Sequence, residues 1–347
     1  MLSAALPLGL LSPVLTLAGP LGVAAAGQSM RVATYNLRYD AMPNNITVNE
    51  TLSALPDPLT APSTYFGNKG EQPWSTRRIK IYQHLNSEGI VLAGAWSQIF
   101  MKRLCGSLND LAMLFGDGWG WVGVGRDDGV AAGEFSPIFY KKSAIQLEYA
   151  RPFEPSKYPG AGSKRICTAT HLILQSNPGK PVHFTYLNAH LDDQSDDERR
   201  MAAPLMLVCA RYEAYKTRGP VIVTGDFNSQ GTGSDSRAYQ IITGQIPPVA
   251  VNATFAAKYA VPNGTLADFK MLDLKGETPR KHVAGYFATW TGFVEPGDAS
   301  QYERIDFVFG DSTRKWTADA YKVGSSRTDD GVQASDHRPV FADITLL

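Results

Sequence analysis

The chain has 347 residues, of which 44% are hydrophobic, 10% aromatic and 19% charged. This length fits one large domain or two ordinary ones, and the apolar content is enough for a sizeable core, which excludes a disordered chain and a coiled coil. Lysine plus arginine equals aspartate plus glutamate at 33 each, so no overall positive field attracts polyanions and any nucleic-acid substrate must be bound by local contacts.

Residues 1–26 have the pattern of a secretory signal peptide. An apolar stretch at 8–21 is followed by small residues of the Ala-x-Ala kind at 23–27, and the first charged residue is Arg31. The lack of Lys or Arg before the stretch and the prolines at 7, 13 and 20 leave a disordered N-terminus as the alternative. No other stretch approaches the 18 apolar residues of a membrane span. Secretion also agrees with glycosylation triplets, which begin at Asn45, Asn49, Asn252 and Asn263.

Strand and helix patterns alternate along the rest of the chain. The predicted strands cover 31–36, 90–92, 119–124, 136–141, 166–174, 183–189, 220–224, 304–309, 316–323 and 339–344. The predicted helices cover 75–87, 107–115, 195–219 and 236–243. Capping patterns begin three of these helices, at Ser75, Ser107 and Ser195, and Pro204 should kink the third helix or delay its start. The interleaving favours one domain, 27–347, with two sheets packed face to face and helices outside.

The three cysteines, Cys105, Cys167 and Cys209, are too few for a disulfide scaffold and lack the spacing of a metal site. Cys167 falls on a predicted strand and Cys209 on a predicted helix, so a bridge between them is conceivable. Buried thiols are the favoured interpretation.

The strongest chemical signal follows the apolar strand at 220–224, where Asp226 and Asn228 stand two residues apart. A carboxylate at a strand end can take a proton from water or face a cation, and the amide can donate to a phosphoryl oxygen. The alternative is an Asx-turn in which both residues are structural.

A second signal is the adjacent pair Asp336 and His337 before the terminal strand. Adjacent residues on a strand point apart, so one can face a metal while the other faces substrate. A proton-exchanging histidine needs a carboxylate to fix its tautomer, and Asp306 on an earlier strand is the candidate. A surface turn and a salt-bridged aspartate are the alternatives.

Two further strand ends carry His190 and Glu134, and such a pair would orient a second imidazole. His171 and His183 also fall on strands, without an obvious carboxylate partner, and are interpreted as structural. The acidic run at 192–198 is interpreted as a solvated helix N-terminus, where the helix dipole favours negative charge.

In chain order, these residues resemble the pattern of the endonuclease/exonuclease/phosphatase superfamily, which has the deoxyribonuclease I-like fold. The matching residues are Asn36, Glu134, His190, Asp226, Asn228, Asp306, Asp336 and His337. The resemblance covers 31–347, and the segments 121–129 and 133–140 look like a secreted or microbial branch related to nocturnin-type and sphingomyelinase-type members. It implies an α/β protein with a four-layer α/β/β/α sandwich, in which helices lie outside two packed mixed sheets. The implied chemistry is Mg²⁺-dependent attack of water on phosphorus, with Mn²⁺ as a second candidate ion.

The resemblance also implies roles for single residues. His337, oriented by Asp306, would move the proton of the attacking water. His190, oriented by Glu134, would contact the phosphate or the leaving group. The remaining implied roles are water or metal positioning by Asp226, phosphate binding by Asn228, metal binding by Asn36 and Asp336, and substrate contact by Arg126 and Asn188.

One residue of the superfamily pattern is missing. The pattern has a metal-binding Glu at the end of the second strand, but no Asp or Glu lies between Glu88 and Asp110. Because a hard cation depends on anionic oxygens to offset its dehydration, we expect weak Mg²⁺ binding. Lys102, eight residues before Asp110, is the position where a Glu would restore the pattern. Either a misassigned exon boundary or a decayed enzyme explains the loss.

The sequence therefore predicts a secreted, monomeric, Mg²⁺-dependent phosphoester hydrolase with no stable protein partner. Its substrate would be a nucleic acid, a phospholipid headgroup or a small phosphomonoester. The neutral charge argues mildly against a duplex nuclease, which neutralises many phosphates with Lys and Arg. The alternatives are a 3′–5′ RNA exonuclease of the deadenylase type and an inactive member that binds phosphorylated ligands.

Overall fold

A computed structural model describes residues 27–96, 106–153, 165–175 and 179–347. The predicted signal peptide, Cys105 and Lys102 lie outside the described residues. The described strands are β1 (Gln28–Asn36), β2 (Leu92–Trp96), β3 (Trp119–Val122), β4 (Ile138–Lys141), β5 (Ile145–Phe153), β6 (Cys167–Leu174), β7 (Val182–His190), β8 (Val221–Asp226), β9 (Met271–Asp273), β10 (Val283–Gly285), β11 (Asp306–Asp311), β12 (Trp316–Val323) and β13 (Val340–Leu346).

These strands form two mixed sheets. The seven-stranded sheet has the order β10-β12-β13-β1-β2-β4-β3, and the six-stranded sheet has the order β5-β6-β7-β8-β11-β9. In the first sheet β1 runs parallel to β2 and antiparallel to β13. In the second sheet β7 runs parallel to β8, and β8 runs antiparallel to β11. The parallel pairs β1–β2 and β7–β8 therefore each end at one edge of their sheet, where side chains from both strands can be brought together.

The described helices are α1 (Val48–Ser53), α2 (Trp74–Ser87), α3 (Gly106–Phe115), α4 (Asp196–Thr217), α5 (Arg237–Ile242), α6 (Ala253–Lys258) and α7 (Leu274–Glu277), with a 3₁₀ turn at Arg280–His282. None of the helices in the described ranges is long and apolar enough to cross a membrane.

Three clusters of buried apolar residues, one in each interface between neighbouring layers, hold the helices and sheets together. Residues of both sheets, such as Val32 and Ile222, pack in the layer between the sheets. Leu85 and Leu108 place α2 and α3 on the seven-stranded sheet, and Met206 belongs to the layer that places α4 and α5 on the six-stranded sheet. Because each sheet is apolar on both faces, it is covered on both, and the predicted four-layer α/β/β/α sandwich is confirmed.

A polar contact joins the two sheets within their apolar interface. The hydroxyl of Tyr186 accepts a hydrogen bond from Gly94 N at 3.1 Å. Asn188 Nδ2 donates to Ala95 O at 2.6 Å and to Pro137 O at 2.9 Å. Asn188 is fully buried with both amide hydrogens in use, so its predicted substrate contact is replaced by a role in joining the sheets.

The predicted helix starts are partly wrong. Ser75 and Ser107 lie inside α2 and α3, and no side chain caps the first turn of α2. Ser195 does cap α4, because its Oγ accepts from Glu198 N at 3.3 Å. Pro204 lies inside α4 without delaying its start, since the burial of an apolar face outweighs one missing hydrogen bond. A strand that the sequence did not indicate, β5, follows β4 directly.

The thiols of Cys167 and Cys209 are both buried and free. The conceivable bridge between them is therefore not formed, and the interpretation as small buried hydrophobic residues is confirmed.

Candidate active site

The predicted site residues converge at one edge of the sandwich. Parallel β7 and β8 end together at His190 and Asp226, which are partners in the strand register. Asp306 begins β11 and is the register partner of Asp226 on the other side. Asn36 ends β1 in the other sheet, and His337 lies three residues before β13, the strand that pairs with β1. Strand pairing thus brings together residues that are far apart in the sequence.

His337 lies between two carboxylates. Its Nδ1 is 2.8 Å from Asp306 Oδ2, and its Nε2 is 3.5 Å from Asp226 Oδ2. Burial lowers the pKa of His337, but Asp306 and Asp226 outweigh burial and raise this pKa to about 9. Burial and Asp306 raise the pKa of Asp226 well above its usual range. In the metal-free protein His337 therefore keeps its second proton at neutral pH. The predicted contact between His337 and Asp306 is confirmed.

The second predicted pair is also in contact, since His190 Nδ1 meets Glu134 Oε1. The other oxygen of Glu134 accepts from Arg126 NH1 at 2.7 Å and from Arg165 NH1 at 3.0 Å. Burial raises the pKa of Glu134, but His190 and Arg165 outweigh burial and hold it below its usual value. Burial lowers the pKa of His190, and Arg165 adds to this effect against Glu134. Arg126, predicted to contact substrate, instead holds Glu134.

Asn228 connects the two imidazole–carboxylate pairs. Its Nδ2 is 2.9 Å from His190 Nε2 and donates to Leu191 O at 3.1 Å. Its backbone N–H donates to Asp226 Oδ1 at 2.7 Å. This is the Asx-turn that the sequence left as an alternative, and here the turn aims both side chains at the imidazoles.

Asn36 and Asp336 lie on the side of Asp226 that faces the other sheet. Asn36 Nδ2 is 3.5 Å from Asp226 Oδ2. Ser335 Oγ lies 2.6 Å from Asn36 O and 3.2 Å from Asp336 Oδ1, so it links the two segments. Arg38 NH1 is 3.6 Å from Asp336 Oδ2. Sequence reasoning missed Ser335 and Arg38, although both stand within two residues of a predicted ligand.

The donor set fits a hard divalent cation. Ligand atoms of Asp226, Asp306 and His337 all lie within 4.8 Å of one another. Asp306 Oδ1 is buried and has no hydrogen-bond partner among the described residues. Carboxylate oxygens are the ligands that Mg²⁺ and Mn²⁺ prefer. Of the three metal ligands predicted from the sequence, only Asp226 belongs to this set. The other two, Asn36 and Asp336, lie beside it.

A buried arginine supports the site from behind. Arg77 on α2 is 0% exposed, and its guanidinium donates to Leu37 O at 2.9 Å, Tyr39 O at 2.8 Å and Ala334 O at 3.0 Å. These carbonyls belong to the segments that carry Asn36 and Asp336. No sequence pattern indicated this role, because an arginine on a helix usually faces solvent.

The acidic run after β7 is only partly solvated. Asp192 is buried, and its Oδ1 accepts from Gln194 N at 2.9 Å and from Ser195 N at 2.8 Å. Asp193 is an ion-pair partner of Arg165. The interpretation of the whole run as a solvated helix N-terminus was therefore wrong for Asp192, which is buried and holds the turn before α4, whereas Asp193 is exposed.

The other two strand histidines do have carboxylate partners. His171 Nε2 contacts Glu213, and His183 Nδ1 is 3.1 Å from Glu148 Oε2. Both pairs line a separate cavity of about 390 Å³ beside α4. Sequence reasoning missed these partners because they are 35 to 42 residues away.

Comparison with solved structures identifies the fold. An endonuclease/exonuclease/phosphatase from Bacteroides vulgatus is 23% identical, with a TM-score of 0.65, and the match covers 92% of this chain and 100% of that one. A mannosyl-6-phosphatase from Bacteroides thetaiotaomicron is 21% identical, with a TM-score of 0.63, over 91% of this chain and 100% of that one. The human nocturnin catalytic domain is 13% identical, with a TM-score of 0.54, over 92% and 95%.

No protein-family model matches the chain, and no curated protein matches it either. The structural likeness alone shows that the chain has the endonuclease/exonuclease/phosphatase fold. The fold that the order of the site residues predicted is therefore confirmed.

Proposed function

We propose that this protein is a hydrolase of phosphoester bonds that works with a divalent cation. The observation that carries the proposal is a continuous line of contacts, in which two imidazole–carboxylate pairs meet the same turn. The line runs through Glu134, His190, Asn228, Asp226, His337 and Asp306. A transfer of a phosphoryl group to water needs proton exchange at one end and charge stabilisation at the other. This line supplies groups for both.

Each residue has a role in this proposal. A bound cation would lower the pKa of both His337 and Asp226, and these two groups would then orient the attacking water and take its proton, while Asp306 keeps the imidazole of His337 in one orientation. Asn228 holds the edge of the His190 ring, because His190 Nε2 and Leu191 O use both hydrogens of its amide, and Arg38 provides a positive charge at the side of Asp336. His190 faces the leaving group.

The acidic ligands explain why a cation belongs to the proposal. Asp226, Asp306 and Asp336 concentrate negative charge where a phosphate must bind, and this charge would repel the substrate unless it were balanced. When bound, Mg²⁺ or Mn²⁺ polarises a phosphoryl oxygen and neutralises this charge.

A small phosphomonoester is the favoured substrate class. The structural neighbour named a mannosyl-6-phosphatase supports this choice, and the equal numbers of acidic and basic residues disfavour a long nucleic-acid substrate. Exonucleolytic cleavage of RNA, which the sequence resemblance to deadenylases implies, is the second candidate, and the nocturnin catalytic domain has a similar fold.

A substrate panel tests the proposal. Purified protein is incubated with hexose 6-phosphates, bis-p-nitrophenyl phosphate, sphingomyelin and oligoadenylate RNA, each with Mg²⁺, with Mn²⁺ and with EDTA. We expect metal-dependent release of inorganic phosphate from a hexose phosphate, and its loss in His337→Ala. Binding of phosphate esters without turnover of any substrate would instead support an inactive phospho-ligand-binding protein.

We also propose that the protein is secreted and glycosylated. All four acceptor asparagines are exposed, and they are Asn45, Asn49, Asn252 and Asn263. Expression in a eukaryotic secretory host should give extracellular protein whose mass falls on treatment with an endoglycosidase. Protein retained inside the cell without glycans would contradict this proposal.

A further inference from the structure

Three side chains form a row that leads outward from the candidate active site. Trp290 makes antiparallel bridges with His337 on one side and with Glu303 on the other. Residues that face each other across antiparallel segments have their side chains on the same face. The imidazole of His337 points to Asp306 and Asp226. The indole of Trp290 and the carboxylate of Glu303 therefore lie on the face that carries the site.

The backbone fixes the spacing of this row. Trp290 N donates to Glu303 O at 2.9 Å, and Glu303 N donates to Trp290 O at 3.0 Å. The ring centroids of Trp290 and His337 are 6.5 Å apart, and the ring planes make an angle of 44°. A ligand that extends from His337 along this face therefore meets the indole first and the carboxylate second.

The polar groups of Trp290 and Glu303 are not used within the protein. Both residues are half-buried. Within the described part of the chain, the indole N–H has no hydrogen-bond partner, and the carboxylate has neither a hydrogen bond nor an ion pair. Half-buried polar groups without a protein partner, side by side next to a candidate catalytic histidine, are available to a ligand.

The far end of the row lies toward the turn that follows His190. Burial and Asp235 raise the pKa of Glu303 against the effect of Arg199, so both charged neighbours are close to it. Arg199 is an ion-pair partner of Asp235 and donates through NH1 to Asp192 O at 2.7 Å, in the turn after His190. The row therefore runs from the side proposed for the attacking water to the side proposed for the leaving group.

The charges along the row favour a neutral group with hydroxyls. Arg199 balances Asp235, but no cation pairs with Glu303 among the residues that the structure describes. A second phosphate beside this carboxylate would be repelled, whereas a hydroxyl group donates to it. The π face of the indole is negative and suits the C–H groups of a ring. A sugar has both kinds of group.

A nucleobase would use the same indole but fits the carboxylate less well. Bases stack on aromatic side chains without the need for any charge. A polynucleotide, however, would bring a further phosphate toward Glu303, whose charge is not balanced. The row therefore favours a single phosphate that carries one sugar.

We propose that Trp290 and Glu303 form a subsite for the sugar of a phosphate monoester. The sugar ring packs on the indole, and one of its hydroxyl groups donates to the carboxylate. The part that the subsite plays in turnover rests on the proposed hydrolase function, whereas the binding of a sugar phosphate does not. Trp290 and Glu303 then determine which ester binds, while the histidines and aspartates act on the phosphate.

Binding of unreactive analogues tests the subsite. The full chain with excess Mg²⁺ is titrated calorimetrically with an analogue of mannose 6-phosphate in which a methylene group replaces the bridging oxygen, so that it cannot be hydrolysed. Methylphosphonate has the same charged group without the ring. We expect the mannose analogue to bind at least about 10-fold more tightly. Equal affinities, or no measurable binding of the mannose analogue, would overturn the proposal, and so would tighter binding of the corresponding adenosine 5′-phosphonate.

Substitutions assign the binding to the row. We expect Trp290→Ala and Glu303→Ala each to lower the ratio of the two affinities at least about 5-fold, the scale for a lost stacking or hydrogen-bonding group. Trp290→Phe keeps an aromatic face and should keep most of the ratio. Phe287→Ala is the matched control, because Phe287 is an exposed aromatic residue of the same segment that contacts Lys275 instead. An unchanged ratio in folded Trp290→Ala or Glu303→Ala would overturn the proposal.

Nuclear magnetic resonance locates the sugar in the unaltered protein. Trp290→Phe assigns the indole N–H signal of Trp290 in proton–nitrogen correlation spectra of the ¹⁵N-labelled full chain. We expect this signal to shift more with the mannose analogue than with methylphosphonate. The same shift with both, or no shift with either, would overturn the proposal even if Trp290→Ala does not fold.

Kinetics separate the subsite from the hydrolase function. We expect Glu303→Ala to raise KM for mannose 6-phosphate about 10-fold with a smaller change in kcat, because it removes binding and not chemistry. Equal kcat/KM for methyl phosphate and mannose 6-phosphate would contradict the subsite and leave the hydrolase function standing. Selective binding of the mannose analogue without release of phosphate from any ester would contradict the hydrolase function and support the subsite.

Discussion

The two site histidines differ in protonation because their neighbours differ in charge. His337 faces Asp306 and Asp226, which raise its pKa to about 9. Burial and Arg165 hold the pKa of His190 below its usual value. In the metal-free site His337 is therefore charged at neutral pH while His190 is kept neutral, and a reaction that moves a proton between two sites uses such a difference.

The first prediction concerns the groups proposed to act on water. We expect His337→Ala and Asp226→Ala each to lower metal-dependent kcat at least about 100-fold, because each removes a proton-exchanging or charge-stabilising group. Steady-state kinetics on the best substrate measure this effect. His282→Ala is the control, since His282 is exposed and contacts only Asp319 O through its ring in the described ranges. Near-normal turnover in a folded His337→Ala protein would contradict the proposed role of His337 in proton exchange.

The second prediction concerns the missing ligand. We expect the unaltered chain to bind Mg²⁺ weakly and Lys102→Glu to bind it more tightly, because the change removes a cation and adds an anionic oxygen. Isothermal titration calorimetry of both proteins measures the two dissociation constants. Lys102→Gln separates loss of the positive charge from gain of the carboxylate. Equal affinities, or tight binding by the unaltered chain, would contradict the prediction.

At the scale of elements, helix α4 begins where the turn formed by residues 192–195 ends. Asp192 accepts from the backbone of the turn, and Ser195 caps the first helical turn. The same turn holds Arg165 through Asp193. Helix start and active-site support are therefore built from one short segment.

The third prediction tests this cap. We expect Ser195→Ala to lower the free energy of unfolding by about 1 kcal/mol, because the backbone N–H of Glu198 loses its acceptor. Urea denaturation followed by circular dichroism measures the loss. Ser195→Thr keeps an accepting hydroxyl, so we expect it to lower the free energy of unfolding by no more than about half of the loss in Ser195→Ala. Equal destabilisation by both variants would mean that the hydroxyl does not act as a cap.

At the scale of the whole molecule, the distance between the sheets is set by small residues as well as by apolar packing. A Cβ on Gly94 would lie 2.3 Å from Asn188 Oδ1 and 2.4 Å from Thr224 Oγ1. Both neighbours are buried and belong to the opposite sheet. The sheets therefore approach closely only because residue 94 has no side chain.

The fourth prediction follows from this close approach. We expect Gly94→Ala to lower the free energy of unfolding by about 1–3 kcal/mol, because the added methyl group displaces Asn188 and Thr224. Thermal denaturation measures the change. Gly118→Ala is the matched control, since a Cβ there meets nothing within 4 Å. Equal melting temperatures for Gly94→Ala and the unaltered protein would show that the interface can absorb the methyl group.

The layered fold could be predicted from the sequence because alternating helix and strand patterns each imply a buried face. The sequence also predicted where the site lies, because the candidate residues stand at or near strand ends. These residues are Asn36, Glu134, His190, Asp226 and His337. Their catalytic roles remain predictions.

Other features could not be predicted because they depend on distances between remote segments. Arg77 and Arg165 are buried arginines, although the residue type indicates exposure. Asn188 resembles a substrate contact in sequence, but the pairing of the two sheets gives its amide to backbone carbonyls. Strand β5 has charged and exposed positions, so its pattern lacked the apolar alternation that marks a strand.

The contacts of Arg77 affect how a ligand binds. This guanidinium donates to backbone carbonyls of the segments after β1 and before β13 and so holds both segments to helix α2, and none of these acceptors is a predicted metal ligand. An incoming cation or phosphate therefore meets two loops whose conformational entropy was lost when the chain folded, not when the ligand arrives. Association should then occur in one kinetic phase whose rate rises linearly with ligand concentration, without a slow rearrangement step.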